Sequence, residues 1–495
     1  MEWLDTIFTI LAVVAAFYFF VKYKQSYWER EGVPYVEPTF LMGASSFSRM
    51  PLKDRFQKLY NELKPKGKLG GLYSFTAPAI LVCHPDLVRT ILVKDFTSFE
   101  DRGFYVNEKA DPLSAHLLSL TGTRWKNLRS KLSPTFTSGR MKLMFPLIVG
   151  ISKEFQRTFA EDAAKDSTVE IKDLLARFTT DVIGCCAFGL ECNSLKDPKT
   201  EFREYGKLAF RRSPMEALKQ VILLTFPKIG YIFGLQFNKP EVTEFFRRVV
   251  RETVEYREKS TVQRHDFMNL LIDLKNSGAE DEKLTLNEVA AQAFLFFLAG
   301  FETSSTTMMH CLYELALNPD IQEKTREHIN HVLEQHNNEF TYEAMMDMTY
   351  LEQVINETLR KYPVLAILLR KCSQDYTFPD TKVTVKKGMR IFFPLYGFHN
   401  DPEYYPNPQK FDPDRFTKEN IAARPQYTYF PFGDGPRNCI GMRFGLMQAR
   451  VGLIALIRTL KFSPCAKTDI PLKDYPVFLP FLTPRNGVHL KVEKL

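Results

Sequence analysis

At 495 residues the chain is longer than a usual single domain of about 100–200 residues, so length alone predicts two or three. A hydrophobic content of 45% and a charged content of 25% exclude a disordered protein and allow a large core. The net charge of +8 is modest and no basic tract carries interleaved aromatics, so nucleic acid is not an expected partner. The eight cysteines are scattered without CxxC pairs, which fits a reducing compartment and mostly buried thiols.

Residues 7–21 read IFTILAVVAAFYFFV, fifteen residues without a charge. With Trp3 to Thr6 the run approaches the roughly 20 residues that span a bilayer. A cleavable signal is the alternative, but Glu2 and Asp5 make the start acidic and no small-x-small site follows. Lys22, Lys24 and Arg30 come next, among the interfacial aromatics Tyr23, Tyr27 and Trp28. The pattern predicts a retained membrane anchor over 1–24 with the rest of the chain on the cytoplasmic side. Gly32, Pro34 and Pro38 predict a proline-containing hinge over 25–45, and the stretch near Phe40, Leu41, Met42 and Phe47 is apolar enough to rest on lipid.

The remainder, 46–495, is expected to be one domain, mainly α with small β-sheets, because no repeat or low-complexity linker divides it. Residues 71–83 alternate like a short hairpin, 85–360 carry helical periodicity, and strand-like runs return at 373–396 and 475–492. A buried helix is predicted from a TLNE capping box at Thr285 and Glu288 to about Leu317. Its middle, AGFETSS over 299–305, places a glycine and the carboxylate of Glu302 inside an apolar helix, both costly there. Two readings remain open: a helix opened locally onto a polar cavity, or a kink with Ser/Thr back-bonding to the preceding turn.

Residues 429–441 read YFPFGDGPRNCIG and lead into another helix. Glycines allow close backbone approach to a flat cofactor, and amide N–H groups at a helix start can lower the pKa of Cys439. A lone cysteine in a turn is usually structural, but that reading leaves the glycines, Arg437 and Phe432 unexplained.

Phe432, Gly435, Arg437, Cys439 and Gly441 fill the fixed positions of FxxGxRxCxG, and the chain resembles the cytochromes P450 on that loop. The resemblance extends over essentially the whole chain and implies a haem-thiolate fold with an N-terminal transmembrane helix. Cys439 is then the ligand to the iron of haem b, with Phe432, Gly435, Gly441 and Ala299 against the cofactor. AGFETS is similar to the central-helix pattern AGx(D/E)T(T/S), which makes Thr303 and Glu302 an alcohol–acid pair at the oxygen site. Trp125 and Arg129 of WKNLR, Arg370 of LLRKC and Arg437 resemble partners of the haem propionates. Glu357 and Arg360 match ExxR, a weak motif alone because such spacing is usually a solvated ion pair. Arg415, in PNPQKFDPDRF, resembles the third member of that network, with Asp414 where many relatives have Glu. Asn356 and Thr358 form a sequon inside this helix, where modification is not expected.

The implied activity is a monooxygenase that inserts one atom of O2 into lipophilic substrates, either xenobiotics such as plant toxins and insecticides or endogenous lipids and hormones. No GxGxxG fingerprint or flavin domain is visible, so electrons from NADPH are expected through a separate reductase. Arg124, Lys126, Lys131, Arg140, Lys142 and Arg443 form a candidate basic face for it and for cytochrome b5. The pocket is expected to draw on Phe104, Tyr105, the 208–237 stretch, Phe301, Val364 to Leu369 with Leu368, and the 478–482 turn. An isomerase or dehydratase of the same fold acting on peroxides and a non-catalytic haem or lipophile binder are the competing readings, and the retained Thr303 favours the monooxygenase. SYWEREGVPY and TGTRWKNLRSKLSPTFTSGRMK resemble insect microsomal xenobiotic-metabolising members, implying the endoplasmic reticulum membrane with the catalytic domain in the cytosol.

Overall fold

The apolar N-terminal run forms helix α1 (Glu2–Gln25) in the computed structural model, which describes residues 2–41, 43, 50–211, 213–260, 266–276, 283–475 and 482–495. Among the described residues α1 is the one helix long and apolar enough to cross a membrane, and most of its surface is open. The chain after it is tied down. Trp28 is fully buried, its indole N–H donates to Leu72 O at 3.0 Å, and Gly71 N–H donates to Pro34 O at 2.8 Å. Met42 and Phe47 lie outside the described residues.

The expected hairpin is β1 (Leu69–Ser74) and β2 (Ala77–Val82). Helices α2 (Gly122–Leu132) and α3 (Ser138–Lys165) follow, then β3 (Thr168–Glu170) and α4 (Ile171–Ile183). Farther on come α5 (Pro214–Thr225), the long α6 (Leu286–Leu317) and α7 (Thr349–Lys361). The chain ends with β4 (Leu368–Lys371), β5 (Arg390–Phe393), α8 (Met442–Ile457), β6 (Leu460–Pro464) and β7 (His489–Lys494). One sheet has the order β1-β2-β5-β4, with β2 and β5 parallel, and the other has the order β3-β7-β6.

The 373–396 run carries strands, as expected. It holds β5 and a two-residue ladder, Tyr376–Thr377 with Thr384–Val385, while β4 precedes it. Within 475–492 the strand starts only at His489, and its partner β6 buries Leu460 and Phe462 on one face although it follows α8 directly.

Helix α6 begins as its sequence dictates. Thr285 N–H donates to Glu288 Oε2 at 2.9 Å, and Glu288 N–H donates to Thr285 Oγ1 at 3.2 Å. It runs unbroken through AGFETSS, so the locally opened helix is not what forms. Thr303 Oγ1 donates to Ala299 O at 2.6 Å and Thr307 Oγ1 to Thr303 O at 3.0 Å, the back-bonding of the other reading. Gly300 is required by packing. A Cβ there would lie 2.1 Å from Ile183 Cδ1 of α4. Buried on most faces, α6 is the spine of the larger apolar core, and a second core fills the space around the four-stranded sheet.

Candidate functional site

A cavity of about 620 Å³ separates α6 from the loop ahead of α8. Cys439, Phe432 and Gly441 stand on one wall, Ala299 and Thr303 on the wall given by α6, and Trp125 and Arg129 of α2 at the side. Phe104, Val364 and Leu368 line the apolar remainder, with Ala209, Phe210, Val221 and Leu224 from the 208–237 stretch.

The loop holds Cys439 by its backbone. Cys439 N–H donates to Phe432 O at 2.9 Å, and Asn438 N–H donates to Gly435 O at 3.1 Å. The sulfur is accessible, yet protein encloses it, because the surface it shows is the cavity wall. Burial pushes its thiol pKa up, while the Gly441 amide, Arg102 and Arg129 pull it down. A metal at this sulfur would make it a thiolate outright.

Cations crowd the same end. Arg437 is buried beneath the Trp125 ring, 4.5 Å from its centroid, and donates to the carbonyls of Glu100 and Leu120. Arg129 donates to Asn438 O at 3.0 Å and Oδ1 at 2.8 Å, and Arg102 donates to Arg437 O at 2.8 Å. Arg370 is buried on β4, its Nε without a partner among the described residues, as is that of Arg437. Burial, then the neighbouring Arg437, brings Arg370 down to about 9, and burial brings Arg437 down to about 10 against the pull of Asp101. Arg102 falls well below its usual value for the same reasons, with Arg370 and Arg437 beside it. Neutral carbonyls hold most of these groups, and Asp101, 3.5 Å from Arg437, is a single carboxylate. A group with two carboxylates, a flat apolar body and a metal for Cys439 fits the donor set, and haem b is such a group.

Several expected residues sit elsewhere. Glu302 does not line the cavity; its Oε1 pairs with Lys172 Nζ of α4 at 3.0 Å. The same ammonium donates to Ser305 Oγ at 2.9 Å and Thr306 Oγ1 at 2.7 Å. Phe301 is also turned away, because two residues along a helix is about 200° of rotation from Ala299. Its ring packs on Phe297 and Phe210 in the core. Gly435 is not among the residues that line the cavity: its φ is +68°, and a Cβ there would fall 1.9 Å from Leu92 O. Residues 478–481 of the expected turn lie outside the described residues, and Leu482 is buried without lining the cavity. Arg102 was not foreseen, since FEDRGF carries no distinctive spacing.

Glu357 and Arg360 are fully buried and doubly bonded, at 2.7 and 2.8 Å, with Arg415 Nε 3.5 Å from Glu357 Oε1. Burial pushes the Glu357 carboxyl up and Arg360 draws it back. Arg360 continues to His399 O at 2.9 Å, and His399 Nε2 accepts Phe430 N–H at 3.2 Å, which links α7 to the cysteine loop. Asn356 of the sequon accepts from Tyr429 Oη.

The expected basic face is partly neutralised. Arg124 pairs with Glu108 and Glu288, Lys126 with Glu100, and Lys142 with Glu343, while Arg140 and Arg443 are exposed.

Comparison with known proteins agrees with this geometry. The family model described as "Cytochrome P450" matches residues 33–492. "Probable cytochrome P450 6a23" of Drosophila melanogaster is 46% identical, covering 99% of this chain and 100% of that protein. "Cytochrome P450 6a9" of the same organism is 46% identical over 98% of each, and "Cytochrome P450 6a2" is 42% identical over 99% of each. The chain belongs to the cytochrome P450 family, whose members are haem-thiolate monooxygenases that use O2.

Proposed function

We propose that this monooxygenase acts on lipophilic, uncharged small molecules, foreign compounds such as plant toxins or insecticides among them. Its electrons begin on NADPH and arrive through a separate flavoprotein reductase. One observation carries the reading: the Cys439 sulfur and Thr303 share a single cavity whose lining is mostly apolar. Cys439 would hold the haem iron, and Arg102, Arg129, Arg370 and Arg437, with Trp125, its carboxylates. Bound there, haem supplies O2 activation, with electron density from the thiolate favouring O–O cleavage.

The chain's own groups do the rest. Thr303 donates its hydroxyl hydrogen bond to Ala299 O, which leaves its lone pairs to accept from a proton-bearing group in the cavity. Glu302 and Lys172, on the far side of the same helix turn, form a polar cluster from which protons can be passed toward Thr303. Phe104, Val364 and Leu368 keep bulk water away from that step.

Residues 1–24 are assigned as a single anchor in the endoplasmic reticulum membrane, 25–45 as the hinge, and 46–495 as the catalytic domain facing the cytosol. Lys22 and Lys24 in the last turn of α1, and Arg30 after it, support that orientation. Exposed Arg140 and Arg443 support docking of the acidic reductase, and of cytochrome b5, on the cysteine side. The test is the reduced carbon monoxide spectrum followed by turnover with NADPH and reductase. A thiolate-type Soret band and NADPH-dependent hydroxylation of an apolar probe are expected. A folded, haem-loaded protein lacking that band would overturn the reading.

A further inference from the structure

We propose that His116 is a specificity-determining residue, a neutral hydrogen-bond acceptor that selects lipophilic substrates bearing a hydroxyl or N–H group; this rests on the monooxygenase reading above. His116 lies in the loop before α2, and its side chain lines the cavity that also holds Thr303 and Cys439. The loop is fixed on both sides of it by one buried side chain of α6. Leu117 N–H donates to Gln292 Oε1 at 2.9 Å, and Gln292 Nε2 donates to Ala115 O at 3.2 Å. The ring is therefore pre-positioned against the helix that carries Thr303.

The hydrogen bonds set its tautomer. His116 Nδ1 lies 3.0 Å from Ser119 Oγ. A serine hydroxyl has one proton, and that of Ser119 is directed at its nearest acceptor, Ser114 O. Nδ1 must then carry the hydrogen that Ser119 Oγ accepts, and Nε2 keeps a lone pair. Nε2 has no hydrogen bond among the described residues, and the ring lines the cavity. Burial, with Arg102 nearby, holds the imidazolium down at about 4, and the ring is neutral at physiological pH. Among the other polar groups on the wall, Asn238 is committed to Asp111, Thr225 to Ser74 at 3.0 Å, and the Thr303 hydroxyl hydrogen to Ala299 O.

An acceptor without a partner in an apolar wall is costly, and a ligand O–H or N–H removes that cost. An apolar ligand cannot. Gln292 precedes Ala299 by two helical turns, about 10 Å along α6. The donor end of a bound molecule is held there, and oxidation falls on the end remote from it.

The experiment uses the full-length, haem-loaded protein with 4-phenylphenol and its methyl ether, 4-methoxybiphenyl. Affinities are read from the substrate-induced spectral shift in wild type, His116→Phe and His116→Gln, each checked for haem content and for the thiolate-type carbon monoxide band. We expect wild type to prefer the phenol about tenfold, a difference of ~1.4 kcal/mol. His116→Phe should abolish the preference, His116→Gln should restore part of it, and turnover should mark the ring away from the hydroxyl. Equal affinities in wild type, or a preference that survives His116→Phe, overturn the proposal while leaving the monooxygenase intact if the band is present. Loss of haem from both variants with the fold retained would assign the ring to the cofactor and also overturn it. A wild type without the thiolate band would instead remove the reading on which the proposal rests.

Discussion

Thr303 and Glu302 are neighbours in sequence but face different surroundings, and this decides what each can do. Thr303 touches the cavity, whereas Glu302 reaches it only through the helix turn and is held by Lys172. Replacing Thr303 with alanine should leave the spin state and haem content unchanged but lower product formed per NADPH by about tenfold, a modest share of what positioned proton transfer contributes. A product-to-NADPH ratio equal to that of wild type would count against its part in proton delivery. At this scale the cysteine loop was legible because five fixed residues occupy ten positions, from Phe432 to Gly441. The direction of Phe301 follows from helical geometry once Ala299 is placed on the cavity, whereas that of Glu302 is set by its pairing with Lys172. Arg102 was invisible because its role depends on chain segments brought together from residues 102, 129, 370 and 437.

Among the elements, α6 was read almost residue by residue, since the capping box fixes its start and an apolar run its length. The meaning of Gly300 was not. In sequence it looks like a breaker, yet in the fold it lets α4 approach until Ile183 fills the space a side chain would need. Gly300→Ala should therefore destabilise the protein by ~1–3 kcal/mol through overpacking, despite the better helix propensity of alanine. Adding Ile183→Ala should recover part of that loss in urea unfolding, since the two changes share one contact. Additive losses would show that the contact does not set the cost. Strand β6 was missed for a related reason: five residues directly after a helix give too short an alternation to stand out, and pairing with β7 makes it a strand.

For the whole molecule, the length prior pointed to several domains, whereas one spine helix and two adjoining cores organise the chain. ExxR was weak as a motif because sequence does not reveal burial, and burial changes its energetics. With Glu357 and Arg360 both fully buried, Glu357→Gln leaves Arg360 and Arg415 without their carboxylate. Breaking such a pair costs about 3–5 kcal/mol, and the variant should lose haem on expression because the network is joined to the cysteine loop through His399. Acid stability gives an independent measure of the core. His310 is buried on α6 with Nδ1 3.0 Å from Thr306 O and its ring stacked on Tyr362 at 4.4 Å, and burial lowers its pKa to about 3. The unfolded chain takes up this proton near pH 6.5, but the folded protein does not until about pH 3. Stability from this group is therefore present above about pH 6.5 and lost as pH falls toward 3. His310→Phe keeps the stacking and removes the titration. Between pH 6.5 and 4.5, urea midpoints should show wild type losing stability relative to that variant by about 1.4 kcal/mol per pH unit. A constant difference across that range would mean that the ring takes up its proton inside the folded protein, and that the core around α6 is open to water there.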